Sequence, residues 1–333
     1  MWKTDAPVRR VNRETAGFLA SLAFACLASV RDVYFGGVFQ ATSPLDVAVV
    51  AFALCSLVFL PIALARSPKS FGALRRHAGT LVWVNVTSGL AWIAFFHALR
   101  AMEPLLVQIL FAGVGPLSVV WLDRLVPGVP PAPLRRAERP IHLGLLAALV
   151  FAAAVALAGL SGAGRQSFGT VALGIILATG AGVSISLSTV LCRRLNDGGV
   201  DPTALVSVRF IGAIVLAAGL AFFSGHDVVA GLSKTGIEVI LGASLLLIVL
   251  PVYVNQVGVS LASPLTVRVA LAVGPVLIFL LQLIEGRLSP SPYSLAAGVL
   301  YGLFAVSAAL ARPSMSRVSM SYSTVRAWRN ADE

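Results

Sequence analysis

Residues 98–125 read ALRAMEPLLVQILFAGVGPLSVVWLDRL, and residues 259–288 read VSLASPLTVRVALAVGPVLIFLLQLIEGRL. Each stretch opens an apolar helix with a proline, Pro104 or Pro264, and carries a polar residue four positions on, Gln108 or Arg268. Each then places a Gly-Pro pair in mid-stretch, Gly115-Pro116 and Gly274-Pro275. Each closes on an acidic residue followed by arginine, Asp123-Arg124 and Glu285 with Arg287. In an apolar chain, paired interrupted helices in two halves mark where a transporter built from repeats holds its substrate.

Composition supports that setting. Of 333 residues, 58% are hydrophobic and 12% are charged, about half the charged fraction of a soluble domain; the mean hydropathy is +0.90. Long apolar runs rather than short alternating strands exclude a barrel and imply an all-α polytopic membrane protein. Spans of roughly 20 residues cross the hydrocarbon, and they fit at 16–36, 43–65, 80–100, 103–123, 141–161, 168–192, 202–224, 236–258, 264–285 and 292–311. The repeat reaches further than its opening pair. TSPLDVAVVAFAL at 42–54 is matched by VDPTALVSVRFIGA at 200–213, which puts Pro44 and Pro202 158 positions apart. Spans one to five thus recur as six to ten. Five is odd, so the second copy enters the membrane from the opposite side, as a 5+5 inverted repeat.

The net charge of +11 is distributed as a topology signal. Eighteen of the 25 Lys and Arg fall in the two tails and the even-numbered loops, and by the positive-inside rule those regions and both termini are cytoplasmic. Nucleic acid is therefore not an expected partner. The expected organisation is a cytoplasmic tail at 1–15, repeats at 16–161 and 168–311, a periplasmic linker at 162–167 and a disordered cytoplasmic tail at 312–333. Residues 126–140, VPGVPPAPLRRAERP, are expected to form a cytoplasmic loop. The first span is read as retained rather than cleaved. Cys26, Cys55 and Cys192 lie within spans and are read as small core residues. No spacing points to a metal site or a cofactor.

The five-plus-five layout, WIAFFHALRAMEPLLVQILFAGVGPL at 92–117, its counterpart VYVNQVGVSLASPLTVRVALAVGPV at 252–276 and the following LIEGRL resemble the EamA-type carriers of the drug/metabolite transporter superfamily. The resemblance covers roughly residues 16–311. It implies a ten-span fold and a carrier that moves small organic solutes such as amino acids, amines or drugs, mostly outward. The first span departs from the family, with LASVRDVYFGG at 27–37 where a Trp-Gly step is usual. Arg209 looks like a common family position outside the pathway and is expected to be structural.

Ionisable and polar residues inside spans are the candidates for a substrate or proton pathway. Arg31 and Asp32 stand near the outer end of the first span. Asp32 would accept a proton or a substrate amine, although neighbours about 100° apart on a helix cannot both face one cavity squarely. Gln108 and Arg268 occupy matching positions of the repeat, and arginine's fork of donors suits a carboxylate or phosphate. Asn85 and Trp92 on the third span, with Tyr253 and Gln256 sharing a face of the eighth, complete the proposed walls. Trp83 is expected in the interfacial aromatic belt, and His97 is expected to be a satisfied core residue. Glu103 is expected to serve the start of the fourth span electrostatically, and Glu285 to pair with Arg287. Gly115, Pro116, Gly274 and Pro275 are the expected hinges.

The expected function is a secondary carrier of the cell membrane, exporting a small amphipathic or amino-acid-like metabolite by proton antiport. The alternatives are a multidrug or amine efflux carrier, a channel and an intramembrane enzyme. No P-loop, HExxH, G-x-S-x-G or paired-aspartate motif supports an enzyme or a self-contained pump. Expected partners are a small-molecule substrate and membrane lipids, with room for a homodimer.

Overall fold

The structure is a computed structural model describing residues 6–125, 138–163, 166–228, 236–262, 267 and 270–311. Among these residues the regular elements are all helical and no strand occurs. The helices are α1 (Ala6–Val38), α2 (Pro44–Arg66), α3 (Lys69–Arg76), α4 (Ala78–Ala101), α5 (Pro104–Leu125), α6 (Glu138–Leu157), α7 (Phe168–Asp197), α8 (Pro202–Arg209) and α9 (Ile211–Phe223). After them come α10 (Ile237–Ser244), a π turn over Leu245–Val249, α11 (Leu250–Leu261), α12 (Gly274–Glu285) and α13 (Pro292–Ala311).

Local chemistry sets the helix starts. Ser43 caps α2 by accepting from the Leu45 N–H at 3.3 Å, with Pro44 supplying the fixed φ of a first turn. Asp201 does the same for α8, accepting from Thr203 N–H at 2.8 Å ahead of Pro202. Ser167 caps α7 through Thr170 N–H at 3.2 Å. At its other end α12 stops where Gly286 turns left-handed, with φ of 70°.

Seven helical stretches are long and apolar enough to cross a membrane: Glu14–Val38, Pro44–Arg66, Ala78–Ala101, Glu138–Leu157, Phe168–Asp197, Pro202–Phe223 and Ile237–Gly258. Pro104–Ser118, Gly274–Glu285 and Pro292–Ala308 are shorter apolar helices. An all-helical molecule with this many apolar helices is that of a membrane-embedded protein.

Helix packing follows a recurring scheme. α4 lies on α7 and α1 on α11; α5 lies on α7 and α1 on α12; α5 meets α6 and α12 meets α13. α2 packs on α8 and α9, and α6 on α13. Small residues set the closest approaches. Gly17 of α1 abuts Ala262 just beyond α11, and Gly174 of α7 abuts Ala101 and Met102 at the end of α4.

One group of buried side chains lies at the end of the bundle where α1 stops and α5 begins. Phe35, Phe39, Phe95, Phe96, Leu99, Leu105 and Leu106 are fully buried there. α5 itself is buried from Pro104 to Val107 and only half-buried from Val114 to Ser118.

Five features differ from the sequence reading. The loop after the second span contains α3, whose Ala73 and Leu74 pack with Val84, Leu195 and Leu205. The seventh span is broken at Phe210 into α8 and α9. The eighth is interrupted by the π turn ahead of Pro251. In the ninth, Gly274 and Pro275 do not sit in mid-helix: a turn at Ala272–Val273 precedes them and they start α12. Pro116, by contrast, lies inside the continuous α5. The expected 126–140 loop is shortened at its end, because α6 begins at Glu138. Residues 126–137 and the tail 312–333 lie outside the described residues, as do residues 1–5.

Candidate functional site

Arg31 and Asp32 lie two turns before the end of α1, with 4% and 0% of their side chains exposed. Their geometry answers the objection that neighbours on a helix diverge. The long Arg31 side chain folds back so that both Nε and Nη2 lie 2.7 Å from Asp32 Oδ1. The guanidinium then rests over Trp92 at 4.9 Å and Phe95 at 5.6 Å, both contributed by α4. Cation–π contact of this kind is strongest where water is excluded.

Asp32 falls on the face of α1 that also carries Ser29 and Gly36. Ser29 Oγ donates to Ala25 O at 2.8 Å and lies 3.3 Å from Gly274 O at the start of α12. Gly36 sits against Pro104 at the start of α5, where a Cβ would come within 2.8 Å of the proline ring. α1 and α5 run in opposite directions from that contact. Asp32 is four residues back along α1 and Gln108 four residues on along α5, so one helical turn brings both to the same depth.

Three polar atoms in this region are buried without a hydrogen-bond partner: Asp32 Oδ2, Gln108 Oε1 and Trp92 Nε1. Buried polar atoms are paired in the great majority of cases. One open acceptor and one open donor, on Asp32 and Trp92, flank a buried ion pair with aromatic walls, and the second open acceptor, on Gln108, lies at the same depth on α5. This polar centre can hold the ammonium or amide N–H of a solute on Asp32 and Gln108, and its acceptor on Trp92.

The aromatic wall continues beyond Trp92. Its ring contacts Phe52 of α2 at 5.7 Å, Phe52 stacks on Phe210 at 4.8 Å, and Phe210 lies 5.2 Å under the Arg209 guanidinium. Phe95 meets Phe111 of α5 at 4.5 Å, one turn beyond Gln108. Phe52, Phe95, Phe210 and the serines beside Arg209 were not singled out by sequence reasoning. A phenylalanine or serine in an apolar span carries no local mark of what it touches.

For the other candidates no contact with this centre is seen among the described residues. Asn85 holds helices together: Nδ2 donates to Leu81 O at 3.1 Å, and Oδ1 accepts from Gly212 N–H at 2.8 Å. Tyr253 is 44% exposed and stacks on Phe59 at 5.7 Å, and Gln256 is half-buried one turn on. Arg268 lies outside the described residues. Gly115 O accepts from Ser118 Oγ at 2.9 Å, beside the half-buried Pro116. Trp83 is 61% exposed, and His97 Nδ1 lies 2.8 Å from Ile93 O of its own helix. Glu285 pairs with Arg287 at 3.1 Å, as the sequence reading expects.

Glu103 does more than face a helix start. Its Oε2 accepts from Gly162 N–H at 2.9 Å and from Ser294 Oγ at 2.7 Å, which ties the α4–α5 junction to the segment after α6 and to α13. Ser291 Oγ donates to Leu160 O at 2.6 Å in the same clasp. Burial pushes the Glu103 carboxyl up, against the lowering effect of the Ser294 and Gly162 hydrogen bonds. A second tie at the start of α2 joins Asp46 Oδ1 to His226 Nε2 at 2.8 Å.

No family model and no curated protein matches the chain. Seven chains of solved structures do. One, a crystal structure, matches over 90% of this chain and 97% of its own length, with a TM-score of 0.58 and 21% identity. That likeness concerns the fold alone.

Proposed function

We propose that the chain is a secondary carrier of the cell membrane that exports a small amphipathic metabolite, in the manner of the EamA-type carriers it resembles in sequence. The observation that carries this reading is the buried Arg31–Asp32 pair with an open carboxylate oxygen. A buried charge inside a membrane bundle is costly, and its retention there points to a substrate or ion pathway. The open Gln108 and Trp92 atoms give that pathway recognition groups that suit an amino-acid-like solute.

The architecture supports a ten-span, 5+5 inverted repeat. The seven long apolar helices and the three shorter ones overlap the ten expected positions, the ninth only from Gly274 onward. Exchanging each element for its counterpart turns the α4–α7 contact into the α1–α11 contact, and the α5–α7 contact into the α1–α12 contact. With both termini cytoplasmic, the end of the bundle where α1 stops and α5 begins is the outer one. The Glu103 clasp and the Asp46–His226 tie lie at that end, so this conformation is closed outward.

Reconstituted into proteoliposomes, the protein is expected to show counterflow, in which unlabelled solute inside accelerates uptake of labelled solute from a metabolite panel. A channel gives no such acceleration. An imposed pH gradient is expected to drive uptake in wild type and much less in Asp32→Asn. Unchanged gradient dependence in that variant removes Asp32 from coupling. The aromatic walls around the carboxylate favour one second reading, an efflux carrier for organic amines, which the same panel separates by whether amines or carboxylated solutes exchange.

A further inference from the structure

Arg209 is the second arginine buried in the bundle, 7% exposed, at the last turn of α8. Unlike Arg31, it meets no carboxylate among the described residues. Its Nε donates to Ser88 Oγ at 3.1 Å and its Nη2 to Ser188 Oγ at 3.4 Å, and the two hydroxyls lie 2.7 Å apart. The carbonyl end of α8 offsets part of the charge. No carboxylate among the described residues neutralises the rest.

A donor count sharpens the point. A guanidinium carries five N–H groups, and the two bonds to serine use two of them. Ser88 and Ser188 both accept from Arg209, and only one of them can donate to the other. These bonds use three of the four hydroxyl lone pairs, and Cys192 Sγ lies 4.0 Å from Ser188 Oγ as a weak further partner, so the cluster has donors to spare and a net positive charge. That is the complement of an oxyanion.

Its surroundings add shape. Phe210 lies 5.2 Å from the guanidinium and stacks on Phe52, which reaches Trp92, which carries Arg31. Two buried cations are thus joined by one run of aromatic faces. One is neutralised by its neighbour and the other is open. Arg209 lies seven residues into the seventh span from Pro202, while Arg31 lies seven residues from the end of the first.

We propose that Arg209, with Ser88 and Ser188, is an anion-binding station for a small organic monocarboxylate. It stands apart from the Asp32–Gln108–Trp92 centre and binds whether or not the chain proves to be a carrier. If the carrier reading holds, the aromatic run leads the anion from this station towards Arg31.

The test uses purified full-length protein in detergent, with sodium benzoate as the probe against benzamide, its neutral isostere, and sodium chloride at matched ionic strength. Benzoate is expected to raise Tm in wild type, with no shift from benzamide or chloride. Arg209→Lys is expected to retain a benzoate shift and Arg209→Gln to lose it. Ser188→Ala and Ser88→Ala, which remove neutral groups only, are expected to weaken benzoate binding about tenfold, the loss typical of one hydrogen bond to a charged group. An equal shift with benzamide overturns the proposal. So does a full benzoate shift in folded Arg209→Gln, or, if that variant does not fold, unweakened binding in both serine variants. Benzoate binding without counterflow would sink the carrier reading and leave this station standing. Counterflow with an unaltered benzoate response in Arg209→Gln would do the reverse.

Discussion

At the scale of single residues, the buried polar groups divide by whether their partners complete them. Asn85 and Glu103 are bonded and serve as ties. Asp32, Trp92 and Gln108 each keep an atom open in the region of the Arg31 ion pair, and Gln282 of α12, 4% exposed, keeps both its amide atoms open. Glu103 gives a prediction with a definite sign. Its carboxyl is held above the ordinary range near 4.3, with burial as the largest cause. A raised carboxyl contributes stability below the unfolded pKa, and that contribution fades as pH rises through the folded one. Glutamine cannot ionise and keeps an acceptor for Gly162 and Ser294. Tm of Glu103→Gln minus Tm of wild type should therefore grow from about pH 4 to about pH 8; a flat or falling difference would sink this account. Sequence reasoning found Arg31, Asp32 and Trp92 because charge and indole are conspicuous in an apolar span. It expected Arg209 to be structural, and nothing local shows that its partners are two serines from α4 and α7.

At the scale of elements, the two copies of the broken helix are chemically alike and built differently. α5 runs through Pro116, while in the second copy the helix restarts at Gly274-Pro275. A proline in mid-helix removes a backbone bond and bends the rod; at a first turn it costs nothing. Pro116→Ala is thus expected to raise Tm and slow counterflow. Pro275→Ala is expected to lower stability by only about 0.5–1 kcal/mol through lost preorganisation. Wild-type turnover in Pro116→Ala would end its claim to be a hinge. The break at Phe210 has another basis. Its free Gly212 N–H is taken by Asn85, 127 residues away, and a Cβ on Gly212 would come within 2.8 Å of the Asn85 carbonyl oxygen. Gly212→Ala should cost about 1–3 kcal/mol by overpacking this crossing, read as a lower Tm; an unchanged Tm would show that the crossing gives way. Sequence marks helix starts through Ser43-Pro44 and Asp201-Pro202, because caps are local. It does not mark this break, because the group that completes it comes from another helix.

For the whole molecule, the informative property is that contacts come in exchanged pairs. Gly17 against Ala262 and Gly174 against Ala101 and Met102 join corresponding places in the two copies, as the contacts of α1 with α11 and of α7 with α4 do. Two copies inserted in the same sense would leave corresponding loops on one side of the membrane. Inverted copies place them on opposite sides, since five spans is an odd number. Ala41 follows α1, and Asp197 ends α7, the corresponding helix of the second copy; both are exposed. Lys69 follows α2 and Ser224 follows α9, and both are exposed as well. The exposed cations Arg66, Lys69, Arg75, Arg76, Arg193 and Arg194 lie near the second and third of these four positions, at the end assigned to the cytoplasm. Four single substitutions, Ala41→Cys, Lys69→Cys, Asp197→Cys and Ser224→Cys, in a background with Cys26, Cys55 and Cys192 replaced, turn this into a measurement. A membrane-impermeant maleimide added to intact cells is expected to label Ala41→Cys and Ser224→Cys. Lys69→Cys and Asp197→Cys are expected to react only after the membrane is opened. Labelling of Ala41→Cys and Asp197→Cys from the same side would rule out the inversion, and with it a pathway in which the outer end of one half corresponds to the inner end of the other.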